Sequence, residues 1–450
     1  MTPWLRFAAL GLACALAARP AHADETASAK ELDTLYETVE RLEHRINELE
    51  SANASSSARG SAGDWSERVR LSGSAELDYL QGQGADYGLY DEGSTQIYDA
   101  RVFIDANLGS DARIGESTVY RDAGFTFEWN LVRLGSVRNE VGDLYVDLRG
   151  VGGRDWLNLE AGRFQIPFGE NYLRFGRGRK ADPFVALSAA PPWFWDEGVK
   201  LWGKSSNGRF GYIASVTDGE GGINIENNSS KQVTLKLSWD PSEWLHLSAS
   251  ALRTGKLGSD DEPAVASVWL GEAYPKSFGL SSSAVNYDHG VALADGPNEL
   301  SNITVIGADA VVNLPAARIW LSAGSAAIDS TGPGVYNRDL LYWLAEVVFQ
   351  LRTITSALDP MYLAVRANGL GTYDKDEGYL LDFRYRDVGY NMRALDAYAV
   401  ALGLPLGNHI VLKAQYAIQN MDLVRGITDQ DIRDAANDAD FFGMEIGVHF

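Results

Sequence analysis

Arg174, Arg177, Arg179 and Lys180 fall within seven residues, and Arg163 stands a short way upstream. A guanidinium grips phosphate or carboxylate through two parallel N–H bonds, and a close group of cations attracts anions by focused potential. The chemistry open to this cluster is therefore anion attraction. Two other outcomes compete with it. The cations can pair with Asp182, Asp196 and Glu197 nearby, or sit on an exposed loop facing lipopolysaccharide. Bond-breaking chemistry has less to stand on. Catalysis needs a nucleophile, a base and an orienting group within reach of one another. The six histidines, His22, His44, His246, His289, His409 and His449, are scattered and read as structural. The single cysteine, Cys14, leaves no disulfide, thiolate metal site or haem attachment to expect. No enzyme activity, cofactor or metal is predicted.

The elements that must position these residues show first in the last stretch of the chain. Phe442, Met444, Ile446, Val448 and Phe450 fall on one face of an extended strand, and Gly443, Glu445, Gly447 and His449 on the other. An aromatic residue closing such a strand is the signal a barrel-assembly machinery reads, and Phe450 is assigned that part. An edge strand of a soluble sandwich alternates in the same way, so the rest of the chain has to decide. From Val69 onward the alternation recurs, as in Val69-Leu71-Ala75-Leu77-Tyr79, Phe125-Phe127-Trp129-Leu131 and Val233-Leu235-Leu237-Trp239. In all there are about 16 to 17 segments, and single-chain membrane barrels are normally even. The polar partners are charged, which suits a wet lumen better than a packed core. Arg101, Lys200, Lys236, Arg384 and Arg386 are candidates to face that lumen, offset by Glu76, Asp78, Asp99, Glu128, Asp147 and Glu346. Tight turns are expected at Asp240-Pro241, Leu314-Pro315 and Leu404–Gly407, alternating with long polar connections such as 253–302 and 421–439. The fold class predicted is all-β, a transmembrane antiparallel β-barrel of about 16 strands preceded by a short N-terminal coiled-coil helix.

Composition agrees. The formal charge of -22 argues against nucleic acid as a partner. No apolar run reaches the ~18 residues of a membrane helix, which leaves strands as the means of crossing. The 12 Trp and 20 Tyr suit interfacial girdles, and the 46 Gly suit many turns.

Residues 1–23 read as a secretory signal: Arg6, an apolar core from Phe7 to Ala18, then Ala21-His22-Ala23 for cleavage. Residues 24–50 read as a periplasmic helix. Leu32, Leu35, Val39, Leu42, Ile46 and Leu49 recur at heptad spacing, a seam that points to self-association. Residues 51–64, rich in Ser, Ala and Gly, read as a flexible linker, and 65–450 as the barrel.

The segment Gly162-Arg163-Phe164-Gln165-Ile166-Pro167-Phe168-Gly169, followed by Asp196-Glu197-Gly198-Val199 and Val216-Thr217-Asp218-Gly219, resembles the phosphate-selective porin O and P superfamily, with its coiled-coil-bearing trimeric relatives. The resemblance is specific across about 97–222. It implies a homotrimer of 16-stranded barrels with the loop at about 164–196 folded inward as the constriction. It also implies a ladder of lumen cations. Here the mixed lumen charges depart from that pattern, so phosphate selectivity is not carried over residue by residue.

The function predicted is passive diffusion of small hydrophilic or ionic solutes, with anions such as phosphate among them, through a Gram-negative outer membrane. The partners expected are further copies of the chain, outer-membrane lipid and lipopolysaccharide, and the barrel-assembly machinery. The alternatives are a tether joining outer membrane to cell wall through the helix, with incidental conductance, and the sheath of an electron conduit whose haem partners are encoded elsewhere. Outer-membrane hydrolysis is the weakest reading.

Overall fold

The computed structural model describes residues 68–83, 94–133, 136–170, 182–185, 195–219, 230–255, 300–330, 338–372, 392–423, 428 and 440–450. The leader, the helix seam and the linker lie outside the described residues. So do Arg174, Arg177, Arg179, Lys180, Arg384 and Arg386.

Sixteen strands follow one another along the chain. They are β1 (Val69–Gln83), β2 (Ser94–Ile114), β3 (Ser117–Arg133), β4 (Ser136–Arg149), β5 (Asn158–Gln165), β6 (Trp195–Lys204), β7 (Phe210–Thr217) and β8 (Gln232–Ser242). The second half comprises β9 (Leu245–Arg253), β10 (Leu300–Asn313), β11 (Ala317–Ser330), β12 (Arg338–Gln350), β13 (Tyr362–Thr372), β14 (Met392–Leu406), β15 (Ile410–Leu423) and β16 (Asp440–His449). Each pairs antiparallel with its sequence neighbours, and β1 pairs with β16 to close the ring. Closure leaves no edge, the condition a sheet must meet in lipid, where no water satisfies a bare strand.

The predicted alternation sets the two faces. On β1, Leu71 is 63% exposed on the outside while Glu76 is 3% exposed on the inside. Met444, Ile446 and Val448 of β16 lie on the outer face, and Glu445 on the inner. Exposed apolar residues on nearly every strand make a continuous outer belt. Trp156, Phe210, Trp239 and Trp244 cluster at one rim of it, with Phe210 and Trp239 stacked at 5.9 Å. That is where an amphipathic aromatic ring is best placed between hydrocarbon and water.

The rims differ as expected. Connections at 115–116, 205–209, 243–244, 314–316 and 407–409 are short, and all lie at one rim. Those at 166–194, 254–299 and 373–391 are long and lie at the other. Two expected turns are corrected. Pro241 lies inside β8 and Pro405 inside β14; the chain reverses at 243–244 and at Gly407, which has φ 68°. Proline lacks the N–H that a ladder needs, so it is tolerated at irregular or terminal strand positions. Pro241 stands at a register shift between Trp239 and Ser242, and Pro405 is next to last in its strand.

Candidate functional site: a loop folded into the barrel

The motif at the end of β5 turns the chain off the wall and into the lumen. Gly162 adopts φ 132°, and a Cβ there would collide with the Leu144 carbonyl, so the position requires glycine. Phe164, Ile166 and Phe168 are then fully buried, and the Phe168 N–H donates to the Ile166 carbonyl across a tight turn. Gly169 follows with φ 61°, another left-handed position. The second half of the motif locks the far end. Asp196 accepts the Gly219 N–H at 2.8 Å, joining the start of β6 to the turn after β7.

Two described stretches of this loop sit on the inner wall. The first is its root. Gly169 N–H donates to Ser250 Oγ at 3.0 Å. The Glu170 carboxylate meets Lys236 Nζ at 2.7 Å, Ser248 Oγ at 2.7 Å and His246 Nε2 at 2.9 Å. Burial pushes the Glu170 carboxyl up, but His246 and Lys236 outweigh it and hold the value down at about 2. A depressed carboxyl keeps its ionic bonds at neutral pH and surrenders them only as pH falls from its ordinary range towards 2.

The second stretch, 182–185, lies against β13 and β15. With sixteen strands in the ring, β13 stands opposite β5, where the loop began. Val185 N–H donates to Gln415 Oε1 at 2.8 Å, Tyr362 OH to the Pro183 carbonyl at 3.2 Å, and Lys413 Nζ to the Phe184 carbonyl at 3.4 Å. The Arg366 guanidinium lies 3.9 Å from the Phe184 ring centroid. Ala364, Ala399, Ala401 and Ala417 leave a shallow seat on the wall, which Phe184 and Val185 fill beside Leu80. The chain thus runs from β5 to β8–β9 and on to β13–β15, within the ring.

The seat depends on a glycine. Gly403 of β14 pairs with Tyr362, and a Cβ there would fall inside the Tyr362 ring. Gly403→Ala is expected to displace the ring, break its bond to Pro183, and cost about 1–3 kcal/mol by overpacking. The loss of the heat-stable folded band on a gel, at a lower temperature than for the parent, checks this.

The inner wall is acidic. Among the described residues twelve carboxylates are buried, Glu76, Asp78, Asp99, Glu128, Asp143, Asp147, Glu160, Asp182, Asp196, Asp309, Glu346 and Glu445, against five buried cations, Arg101, Arg163, Lys236, Arg366 and Lys413. The wall cations are all engaged by acids. Arg101 holds Asp99 at 2.6 Å and Glu128 at 3.2 Å, and faces the Trp195 ring. Lys200 pairs with Glu160 and stands 4.7 Å from the centre of Phe164. Lys413 pairs with Glu445 at 2.7 Å. Arg101, Lys200 and Lys236 lie on the face opposite the exposed apolar rows. Arg163 is different: it shares the outward row of Leu144 and Val199, meets Glu197 at 2.8 Å, and donates from Nε to the Val141 carbonyl. The sequence reading did not single out Arg366, Glu170, Tyr362 or the part of His246. Arg366 was within reach, since Tyr362, Ala364, Arg366 and Asn368 share one face of a strand.

No family model matches the sequence, and no curated protein matches it. Solved structures match in fold. The outer-membrane protein OmpT of Vibrio cholerae, in its trimer form, is 12% identical with a TM-score of 0.51, over 85% of this chain and 99% of its own. The anion-selective porin from Comamonas acidovorans is 10% identical with a TM-score of 0.51, over 85% and 98%. Salmonella typhi OmpF, in complex with daunomycin, is 10% identical with a TM-score of 0.50, over 85% and 97%. The described barrel has the fold of outer-membrane porins. At these identities the likeness is one of fold.

Proposed function

We propose that the protein is an outer-membrane porin of a Gram-negative bacterium, assembling as a homotrimer and passing small hydrophilic or ionic solutes by diffusion. The observation that carries the reading is the inward loop, anchored at Glu170 on one wall and at 182–185 on another. A closed ring with an apolar outside and a charged inside is a conduit, and a loop pinned across it sets the width. The apolar belt faces lipid, the long connections face lipopolysaccharide, and the β1–β16 seam with Phe450 is what the assembly machinery closes.

Selectivity follows from where the uncommitted charge lies. The wall cations are bound to carboxylates, so they make a poor ladder for anions. Arg174, Arg177, Arg179 and Lys180 lie in sequence between the two anchored stretches, and we assign any attraction for anions, phosphate among them, to that group. Arg163, bonded to Glu197, contributes less. The test is single-channel recording in planar bilayers under a KCl gradient. Joint Arg174→Glu, Arg177→Glu and Arg179→Glu substitution is expected to move the reversal potential towards cation selectivity by severalfold in permeability ratio. An unchanged reversal potential removes these residues from the pore. A purified protein that passes no current removes the porin.

A further inference from the structure

His246, two residues into β9, stands between two acids. Its Nε2 is 2.9 Å from Glu170 Oε1 and its Nδ1 is 2.6 Å from Asp240 Oδ1. A neutral imidazole carries one N–H and can donate to only one of them. The other contact would then set a ring lone pair against a carboxylate oxygen. Only the imidazolium serves both. We infer that His246 is held as the imidazolium and acts as the positioning residue for the inward loop, pinning its root to the end of β8.

The surroundings support a proton-dependent pin. Glu170 comes from the loop, Asp240 and Lys236 from β8, and Asp309 from β10. Three carboxylates therefore meet two cations while His246 is charged, and one cation when it is not. Lys236 and Ser248 hold Glu170 in either state. Lys236 ties Glu170 directly to β8, and the ring adds a second link, to Asp240 at the end of that strand. The side chain of His246 is 26% exposed, so its proton exchanges with lumen water. The sign is fixed by the partners. Only the imidazolium can donate to both acids, so the pin is present while the ring is charged and is lost when rising pH removes its proton.

The inference rests on the porin reading only for its effect on current, and the experiment separates the two. In bilayers, the full chain is recorded in symmetrical KCl from pH 6 to pH 10, as wild type, His246→Gln and Asp240→Asn. Losing a charge-assisted bond shifts the pinned-to-unpinned ratio by about tenfold. Open-channel noise should rise accordingly in the wild type and stay flat in His246→Gln. With Asp240→Asn, which keeps the ring but removes one acid, the rise should come at a lower pH than in the wild type. In parallel, a Cys14→Ser, Asn171→Cys chain in detergent is labelled with maleimide, with and without His246→Gln. The ratio of the two rates cancels the thiol's own titration and should change about tenfold over the same range. A flat ratio, or a wild-type profile kept by His246→Gln, overturns the inference. A changing ratio without any current upholds the pin and overturns the porin.

Discussion

Arg366→Met is expected to loosen the far end of the inward loop and to destabilise the barrel together. Arg366 is 2% exposed and lies between Asp182 of the loop and Glu346 of β12, each also 2% exposed. Its Nη1 stands 3.7 Å and 3.9 Å from their oxygens, too long for tight bonds. Attraction across a poorly screened interior and the stack on Phe184 add to the hold on the group. Methionine keeps much of the volume and loses the charge. Two buried carboxylates then lose a neighbouring cation, and breaking such an arrangement from one side costs about 3–5 kcal/mol. Because Asp182 opens the stretch that Tyr362, Lys413 and Gln415 hold, the loss falls on the loop tip first. The folded form should disappear on heating at a lower temperature, and single-channel current should become larger and noisier. Adding Asp182→Asn and Glu346→Gln removes the excess negative charge and should recover stability without recovering the current level. If Arg366→Met alone leaves conductance unchanged, the loop is not held by this residue.

The barrel was legible in the chain because its two solvents differ. Lipid outside and water inside write a period of two into each crossing segment, so alternation alone shows about 16 to 17 segments where the barrel has sixteen strands. The reading failed where that pressure stops. The alternation over Phe125–Leu131 marks only part of β3, which starts at Ser117 and meets a β2 that runs to Ile114. Beyond Asn107 the hairpin extends past the ends of β1 and β4, and register shifts at Asn107/Gly109 and Ala112/Arg113 break the alternation. Proline was misread for a similar reason: it marks a missing N–H, which a bulge or strand end tolerates as well as a turn does. The inward loop was legible through its motif, but its anchors were not. Glu170 and His246 are separated by 76 residues, and Asp182 and Arg366 by more than twice that. Such pairs are set by ring closure, which places β5, β9 and β13 around one lumen, and local spacing carries no trace of it.

Gly73→Val is expected to prevent the barrel from closing. Ser74–Gln83 pair in register with Asp440–His449, and the ladder continues one step further. There Gly73 N–H donates to the Phe450 carbonyl at 2.9 Å, and Phe450 N–H returns a bond to Gly73 at 3.0 Å. The Phe450 ring covers the glycine: a Cβ at position 73 would lie 2.5 Å from Phe450 Cζ and 2.8 Å from the Arg101 carbonyl oxygen. The ring can swing away, whereas the carbonyl belongs to the β1–β2 ladder and cannot. A branched side chain therefore pushes β1 off one neighbour or the other. A ring opened at that seam exposes bare backbone to lipid, at several kcal/mol for each unsatisfied group. The yield of heat-modifiable folded protein on refolding into detergent should fall by more than about tenfold, since 1.4 kcal/mol already gives that factor. Phe450→Ala in the same chain relieves only the ring clash, so it should restore part of the yield with Gly73→Ala and little with Gly73→Val. Normal folding of Gly73→Val would show that the seam closes without the contact at Phe450, and the role assigned to that residue would go with it.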